Sequence, residues 1–195
     1  GKMDGRFYGF LFQDTDFTKW VEAVAYSLTQ HPDPELEKTA DEAIEAVCAA
    51  QREDGYLDTY YLINDQDMIF TNLKDNHELY CFGHLAQAAC ARWTMQGERD
   101  LLDIACRAAD CICRTFGRGK RPGHAVRGVY LYAGAAAVAE HTGNRALQAA
   151  CETLWQDLCR TKLYVTGALG QTAVGEAFGP AYYLPNDLAY GESCA

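Results

Sequence analysis

The end of this 195-residue chain carries two groups that could bind a metal ion. In the string LPNDLAYGESCA, the carboxylate of Glu192 and the thiol of Cys194 stand two residues apart. Both groups are zinc ligands, but a structural zinc site needs four ligands and a catalytic site at least three protein ligands. The string therefore predicts part of a zinc site.

A second set of candidate residues lies in NHELYCFGHL, where His77 begins a predicted helix and His84 follows seven residues later. Seven residues are two helical turns, so the two imidazoles share a face of the helix. The HExxH pattern of zinc proteases is excluded, because it places its histidines four residues apart. The spacing alone is equally compatible with a polar helix start followed by one satisfied core histidine.

Two further strings offer groups suited to sugar chemistry. In PGHAVRG, His124 precedes a predicted helix whose first turn holds Arg127. A helix N-terminus favours the neutral imidazole, which can hydrogen-bond to sugar hydroxyls, although a simple helix-capping histidine is the alternative. In GEAFG, partial desolvation would raise the pKa of Glu176 toward neutrality, as a general acid requires, while an exposed loop glutamate is the alternative.

Helices must position these residues, because apolar side chains recur at helical spacing from Asp14 to Arg160. Prolines and glycines mark where these helices begin and end. The predicted helices run from Asp14 to the HPDP stretch, from Pro34 to before Asp54, from His77 to Gly97, from Arg99 to about Thr115, from Val126 to His141 and from Ala146 to Arg160.

Two of the helix joints have similar sequences, GERDL and GNRAL, which begin at Gly97 and Gly143. Each glycine can end one helix just before the next begins. Repeated antiparallel hairpins predict an all-α fold of stacked helix pairs, either an open solenoid or a closed toroid. Chance similarity between two short glycine turns is the alternative.

After Arg160 the helical pattern stops, and residues 161–195 are rich in glycine and aromatic residues, with one strand-like run from Leu163 to Val165. A loop of this length is usually functional or disordered, and its aromatic content argues against disorder. We therefore expect one partial domain over residues 1–195, with helical hairpins at 14–160 and a site-building loop at 161–195.

The composition is that of a globular protein, with 49% hydrophobic residues and a formal net charge of -10. The acidic balance argues against nucleic acid as a partner and suits a neutral substrate. No apolar run approaches the roughly 20 residues that span a bilayer, so no membrane partner is expected. The nine cysteines lie mostly within helical patterns. They predict reduced thiols in a cytoplasmic protein. The oligomeric state is left open.

Seven strings together closely resemble glycoside hydrolase family 127, over a range from about Phe12 to Ala195. Its characterised members are β-L-arabinofuranosidases whose catalytic domain is an (α/α)6 toroid. Any one string is a weak signal, but their number and order are specific. The strings are FQDTDFTKWVEA, DGYLDTYY, TNLKDNHELYCFGHLAQAA, GHAVRGVYLYAG, TKLYVTGALG, GEAFG and YYLPNDLAYGESCA.

The resemblance implies a role for each candidate residue. Glu176 matches the general acid/base, and His77 and His124 match histidines that contact the arabinofuranose. Glu192 and Cys194 match two zinc ligands. The family nucleophile is a zinc-bound cysteine far downstream, which implies retaining chemistry with a thiolate in place of the usual carboxylate.

The sequence departs from the family in two places. It ends at Ala195, before the segment that carries the nucleophile and the remaining zinc ligands. In addition, FGRGKRPGH runs straight into AVRGVYLY, whereas the family has a PGH motif and a GHAVR motif on separate helices. His124 thus stands for one of two family histidines, and helices between them are expected to be missing. A benign difference in loop length is the alternative.

The leading hypothesis is therefore an incomplete glycosidase domain, inactive by itself, with an incomplete zinc site and a carbohydrate substrate. A non-catalytic helical repeat protein that keeps a carbohydrate-binding cleft is the main alternative. Another toroidal carbohydrate enzyme, such as an epimerase or an unsaturated-uronide hydrolase, is disfavoured because those chemistries need no zinc thiolate.

Overall fold

Helices account for most of the chain up to Thr161 in this computed structural model, which describes residues 7–73, 76–116 and 124–193. The predicted all-α class is confirmed, and each of the six predicted helices forms. The short helix α3 was not predicted, because six residues are too few to show a helical period. The helices are α1 Asp14–Gln30, α2 Pro34–Ala50, α3 Thr59–Asn64, α4 Glu78–Gln96, α5 Asp100–Phe116, α6 Ala125–Thr142 and α7 Arg145–Thr161.

Local capping explains where several of these helices begin and end. Pro34 opens α2, where the side chain of Asp33 accepts hydrogen bonds from two backbone N–H groups. Gly97 and Gly143 end α4 and α6 with φ values of 78° and 66°. Both glycines thus take the left-handed conformation predicted for these joints. The repeated hairpin joints are confirmed.

The helices form two layers, as in part of a helical toroid. The inner helices α1, α4 and α6 pack side by side, with α4 in the middle. The outer helices α2, α5 and α7 each pack against the inner helix that precedes them in the chain. Arg92 of α4 joins the layers, since its buried guanidinium pairs with Asp41 of α2 and Asp100 of α5. The described helices include none that is long and apolar enough to cross a membrane.

Glycines allow α4 and α6 to cross closely. A Cβ atom added at Gly83 would lie 2.6 Å from the carbonyl oxygen of Tyr130. One added at Gly134 would lie 2.7 Å from the carbonyl oxygen of Gly83. Both separations are too short for real Cβ contacts, so the crossing requires glycine at both positions.

The segment after α7 is irregular but held by hydrogen bonds. Buried Gln171 accepts from the N–H of Gly179 and donates to the carbonyl of Lys162. The predicted strand from Leu163 to Val165 is wrong. The N–H of Tyr164 instead bonds the carbonyl of Ala168 and closes a turn. Among the described residues the run pairs with no strand, and short apolar runs are ambiguous between strand and loop.

Two buried acids lie beneath the start of α4. Asp58 and Glu78 are both 0% exposed. Neither carboxylate oxygen of Asp58 has a hydrogen bond of normal geometry within the described residues. Burial, followed by the charges of Asp14 and Glu78, raises the pKa of Asp58 to about 8. Asp58 is therefore largely protonated in the folded chain near neutral pH.

Replacing Asp58 with Asn should change how stability depends on pH. Because the pKa of Asp58 is raised on folding, the native state binds more protons between about pH 4 and pH 8, and stability falls as pH rises through this window. Asp58→Asn should remove much of that fall, on the order of 3 kcal/mol, in urea unfolding at pH 5 and pH 8. The same pH slope in variant and wild type would contradict the assignment.

Gly134→Ala should destabilise the chain despite the higher helix propensity of alanine. Overpacking costs about 1–3 kcal/mol. Alanine gains about 1 kcal/mol over glycine in a helix. We expect a lower urea midpoint with an unchanged slope. Gly97→Ala, where no atom lies within 4 Å of the added Cβ, tests backbone strain without overpacking. A Gly134→Ala chain as stable as wild type would show that the α4–α6 crossing is looser than described.

Candidate active site

Three side chains distant in sequence meet beside the N-terminus of α6. His124, Glu176 and Glu192 each offer one possible ligand atom, and these atoms all lie within 4.8 Å of one another. His124 is buried, and the two carboxylates are partly buried. The structure thus brings together three of the five residues predicted for the site.

His124 is held at the start of α6. It is the N-cap residue, with extended backbone angles, but its side chain makes no capping hydrogen bond. Its Nε2 instead contacts Oε2 of Glu176, and only 6% of the residue is exposed. The imidazole therefore faces the site and not the helix end.

A tight turn presents Glu176. Thr172 and Ala177 pair through two backbone hydrogen bonds, which close the turn between them. Gly175 and Glu176 both have positive φ, 76° and 47°. A left-handed backbone costs a non-glycine residue about 1–3 kcal/mol, and such strain is often found at functional sites.

Both oxygens of the Glu176 carboxylate have partners. Tyr190 donates its hydroxyl to Oε1 at 3.0 Å, while His124 contacts Oε2. The expectation that desolvation raises the pKa of Glu176 is wrong. Desolvation does raise it, but the hydrogen bonds from His124 and Tyr190 and the charges of His124 and Arg127 outweigh this and lower the pKa. In this arrangement Glu176 is ionised at neutral pH.

Glu192 is placed by backbone pairing with Leu169. The N–H of each residue donates to the carbonyl of the other, at 2.8 Å and 2.7 Å. Burial raises the pKa of Glu192, and the nearby charge of Glu176 acts in the same direction. The charges of His124 and Arg127 oppose this rise. Two carboxylates therefore share a small region with one imidazole and one guanidinium.

His77 faces the same region from the start of α4. It is the N-cap residue, as predicted, and its ring packs 4.9 Å from that of Phe12. Burial lowers the pKa of His77 to about 4, helped by the charges of Arg127 and His124 and opposed by that of Glu176. His77 is therefore neutral at pH 7, and a neutral imidazole can both donate and accept hydrogen bonds.

Glu78 fixes the start of α4 and hence His77. Its buried carboxylate accepts from the hydroxyl of Tyr56 at 2.7 Å and from the N–H of Phe70 at 3.0 Å. Arg127 adds a second tie, since its Nη1 donates to the carbonyl of Asn76 at 3.0 Å. These contacts join the loop before α4 to the core and to α6.

Two other residues noted in the sequence, His84 and Cys194, differ from these. His84 is buried between the rings of Tyr80 and Tyr130, each with its centroid 4.6 Å away, and neither ring nitrogen has a hydrogen-bond partner within the described residues. It is not one of the clustered ligands, and its reading as a satisfied core histidine is wrong. Cys194 lies outside the described residues, so its role as a metal ligand stays a prediction.

Sequence reasoning missed two contributors to the site. Arg127 was noted only as a first-turn residue, although helical spacing puts residues 124 and 127 on one side of α6. Tyr190 stands two residues before Glu192, and this nearness in sequence was the available signal. The contact from Tyr190 to Glu176 depends on the pairing with Leu169, which the sequence does not reveal.

Chemically, the arrangement suits proton transfer and the binding of a divalent cation. A carboxylate held at both oxygens can accept and return a proton at a fixed position. One imidazole and two carboxylates are also a common donor set for zinc and similar metals.

The family profile described as "Beta-L-arabinofuranosidase, GH127 catalytic domain" matches this chain in two segments, residues 1–122 and 118–195. A non-reducing end β-L-arabinofuranosidase of Bifidobacterium longum subsp. longum is 30% identical over an alignment of 280 residues, which covers 100% of this chain and 43% of the relative. The chain thus spans less than half of that relative. The alignment is longer than the chain, and the two profile segments meet at residues 118–122. The predicted missing segment at this point is confirmed.

Two solved structures support the same family. A family 127 β-L-arabinofuranosidase from Geobacillus stearothermophilus T6 superposes with a TM-score of 0.64 at 36% identity, over 99% of this chain and 43% of that one. A second family 127 β-arabinofuranosidase superposes with a TM-score of 0.60 at 31% identity, over 96% of this chain and 40% of that one. By its profile, its relatives and its fold, this chain belongs to glycoside hydrolase family 127, as part of the catalytic domain.

Proposed function

We propose that this chain supplies the sugar-binding and acid/base residues of a glycosidase that acts on a β-L-arabinofuranoside. The observation that carries the proposal is the convergence of His124, Glu176 and Glu192 in a chain of this family. The names of the relatives supply the class of sugar.

The site is suited to a neutral, hydroxyl-rich ligand. The pKa of His77, near 4, keeps its imidazole uncharged at pH 7. It can then donate to one hydroxyl and accept from another. His124 presents a second, nine-tenths buried ring to the same region. Such paired donors and acceptors suit the hydroxyls of a furanose.

In the proposed reaction, Glu176 is the general acid/base. It donates a proton to the leaving oxygen as the glycosidic bond breaks, and it then takes a proton from the water that releases the sugar. The structure shows Oε2 of Glu176 against His124, so the sugar must displace this contact to reach the carboxylate. Without this contact the ionised carboxylate loses a hydrogen-bond donor that stabilises it. The protonated form of Glu176, which the first step requires, is then favoured. Tyr190 keeps its hold on Oε1 and orients the group.

The proposed zinc involves Glu192 and Cys194 on this chain. The carboxylate of Glu192 is partly buried and adjoins the other two site residues, so it fits a cation ligand. When bound, zinc would hold a downstream cysteine as the thiolate nucleophile of a retaining double displacement. In this assignment Cys194 is a ligand and not the nucleophile.

Sugar binding should depend on both histidines. We expect methyl β-L-arabinofuranoside to give saturation-transfer NMR signals with the 195-residue chain at pH 7. His77→Ala and His124→Ala should each weaken binding at least fivefold, because each removes a hydrogen-bonding ring worth about 1 kcal/mol or more. His31→Ala, at an exposed position after α1, is the matched control. Equal binding by all four proteins would refute the assigned cleft.

Hydrolysis by these 195 residues alone should be negligible. No residue of this chain matches the family nucleophile, and loss of a nucleophile typically costs several orders of magnitude in rate. We expect no release of nitrophenol from an aryl β-L-arabinofuranoside above the buffer rate, and less than one zinc per chain after dialysis. Turnover that disappears in Glu176→Gln would show that the nucleophile lies within these residues.

A further inference from the structure

We propose that Phe10 and Phe12 form a platform for the leaving group of the substrate, which is the group joined to the arabinofuranose by the bond that is cleaved. This group then carries a neutral ring with an apolar face. The inference rests on the proposed sugar site and adds to it a binding position with a ligand class of its own. Neither phenylalanine takes part in the proposed proton transfer.

The two phenylalanine rings are stacked and open to solvent. Their centroids lie 5.3 Å apart, and their planes are within 6° of parallel. Phe10 is 71% exposed and Phe12 is 37% exposed. Neighbouring large apolar side chains at a protein surface often mark a place where a ligand or a partner binds. The stack therefore offers a flat apolar surface to a ligand.

The platform is continuous with the proposed sugar site. The ring of Phe12 lies 4.9 Å from that of His77, at an angle of 54°. Phe12 stands two residues before the first residue of α1, and His77 is the N-cap of α4, so both lie where an inner helix begins. The charges of His124 and Glu176 act on His77 at this same end. A group attached to a sugar at His77 is therefore within reach of the platform.

Hydrogen bonds hold the backbone on both sides of Phe10. Buried Thr15 donates its N–H and its hydroxyl to the carbonyl of Phe12, at 3.0 Å and 2.7 Å. Upstream, the side-chain amide of Asn64 pairs with the backbone N–H and carbonyl of Phe7, at 3.0 Å and 3.1 Å. The segment is thus tied at both ends. A surface that is already ordered lowers the entropic cost of binding.

The chemistry of the two rings selects the occupant. A phenyl ring has no hydrogen-bonding group, so it recognises the apolar face of a ring and not its hydroxyls. Another aromatic ring stacks offset on such a surface, and the C–H face of a saturated ring packs there as well. A second copy of the chain fits less well. The two side chains offer about 300–500 Å², whereas a stable protein interface buries about 800 Å² on each partner.

Ligand-observed NMR titrations of the 195-residue chain at pH 7 test the platform with the methyl, benzyl and cyclohexylmethyl β-L-arabinofuranosides. The three share the sugar and differ only in the attached group. We expect the benzyl glycoside to bind about fivefold more tightly than the methyl glycoside, which is about 1 kcal/mol. An equal gain for cyclohexylmethyl would assign a ring of either kind, and a gain for benzyl alone would assign an aromatic ring.

Variants then locate the gain. Phe10→Ala should reduce the ratio of the methyl to the benzyl dissociation constant from about five to below about two, while Phe10→Tyr keeps a flat ring and should keep the ratio. Tyr26→Ala is the matched control, since Tyr26 is an exposed aromatic residue 12 positions along α1. His77→Ala should weaken the three glycosides alike, because it acts on the sugar that they share. Far-UV circular dichroism confirms that each variant is folded.

The outcomes separate this inference from the proposed function. Binding of the methyl glycoside without any gain for the two ring-bearing glycosides would overturn the platform and leave the sugar site standing. A gain that persists in Phe10→Ala would also overturn the platform. Self-association in sedimentation that Phe10→Ala abolishes would assign the rings to a second copy and refute the proposal. No binding of any of the three glycosides would overturn both the sugar site and the platform.

Discussion

The close crossing of α4 and α6 is the constraint on which the site depends. Gly83 meets Tyr130 at this crossing. Gly83 lies six residues after His77, and Tyr130 lies six residues after His124. Further along both helices Gly134 meets Ala86, so the two helices run parallel, and the equal offsets place their N-terminal histidines at the same end. A wider crossing would move the two helix starts, and with them His77 and His124, further apart.

The loop after α7 completes what the helices begin. It returns to the same end of the bundle and places two carboxylates there, one on a strained turn and one on a paired extended segment. Arg127 and His124 supply the charge and hydrogen bonds that this acidic region needs in an already acidic chain. Positive and negative groups are thus balanced locally, although the net charge is -10. That balance explains why Glu176 is ionised where simple desolvation predicted the opposite.

The helices and their joints were predictable because their causes are local. Pro34, Gly97 and Gly143 act through their own backbone preferences, and the apolar period needs only neighbouring residues. The candidate residues were also found from sequence, largely through resemblance. The contacts of Tyr190 and Arg127 were not, since each depends on segments that meet only after folding. The predicted rise in the pKa of Glu176 was wrong for the same reason, because the direction of the shift is set by partners 14 and 52 residues away in the chain.

The two segments that match the family profile meet between α5 and α6. An apolar groove of about 510 Å³ lies between α5, α6 and α7, with Ile112 and Leu154 in its walls. The inner layer nevertheless closes, since α4 and α6 pack directly through Gly83 and Gly134. The arrangement of site residues is therefore a property of the inner layer and the final loop, and the outer helices serve mainly to bury its back.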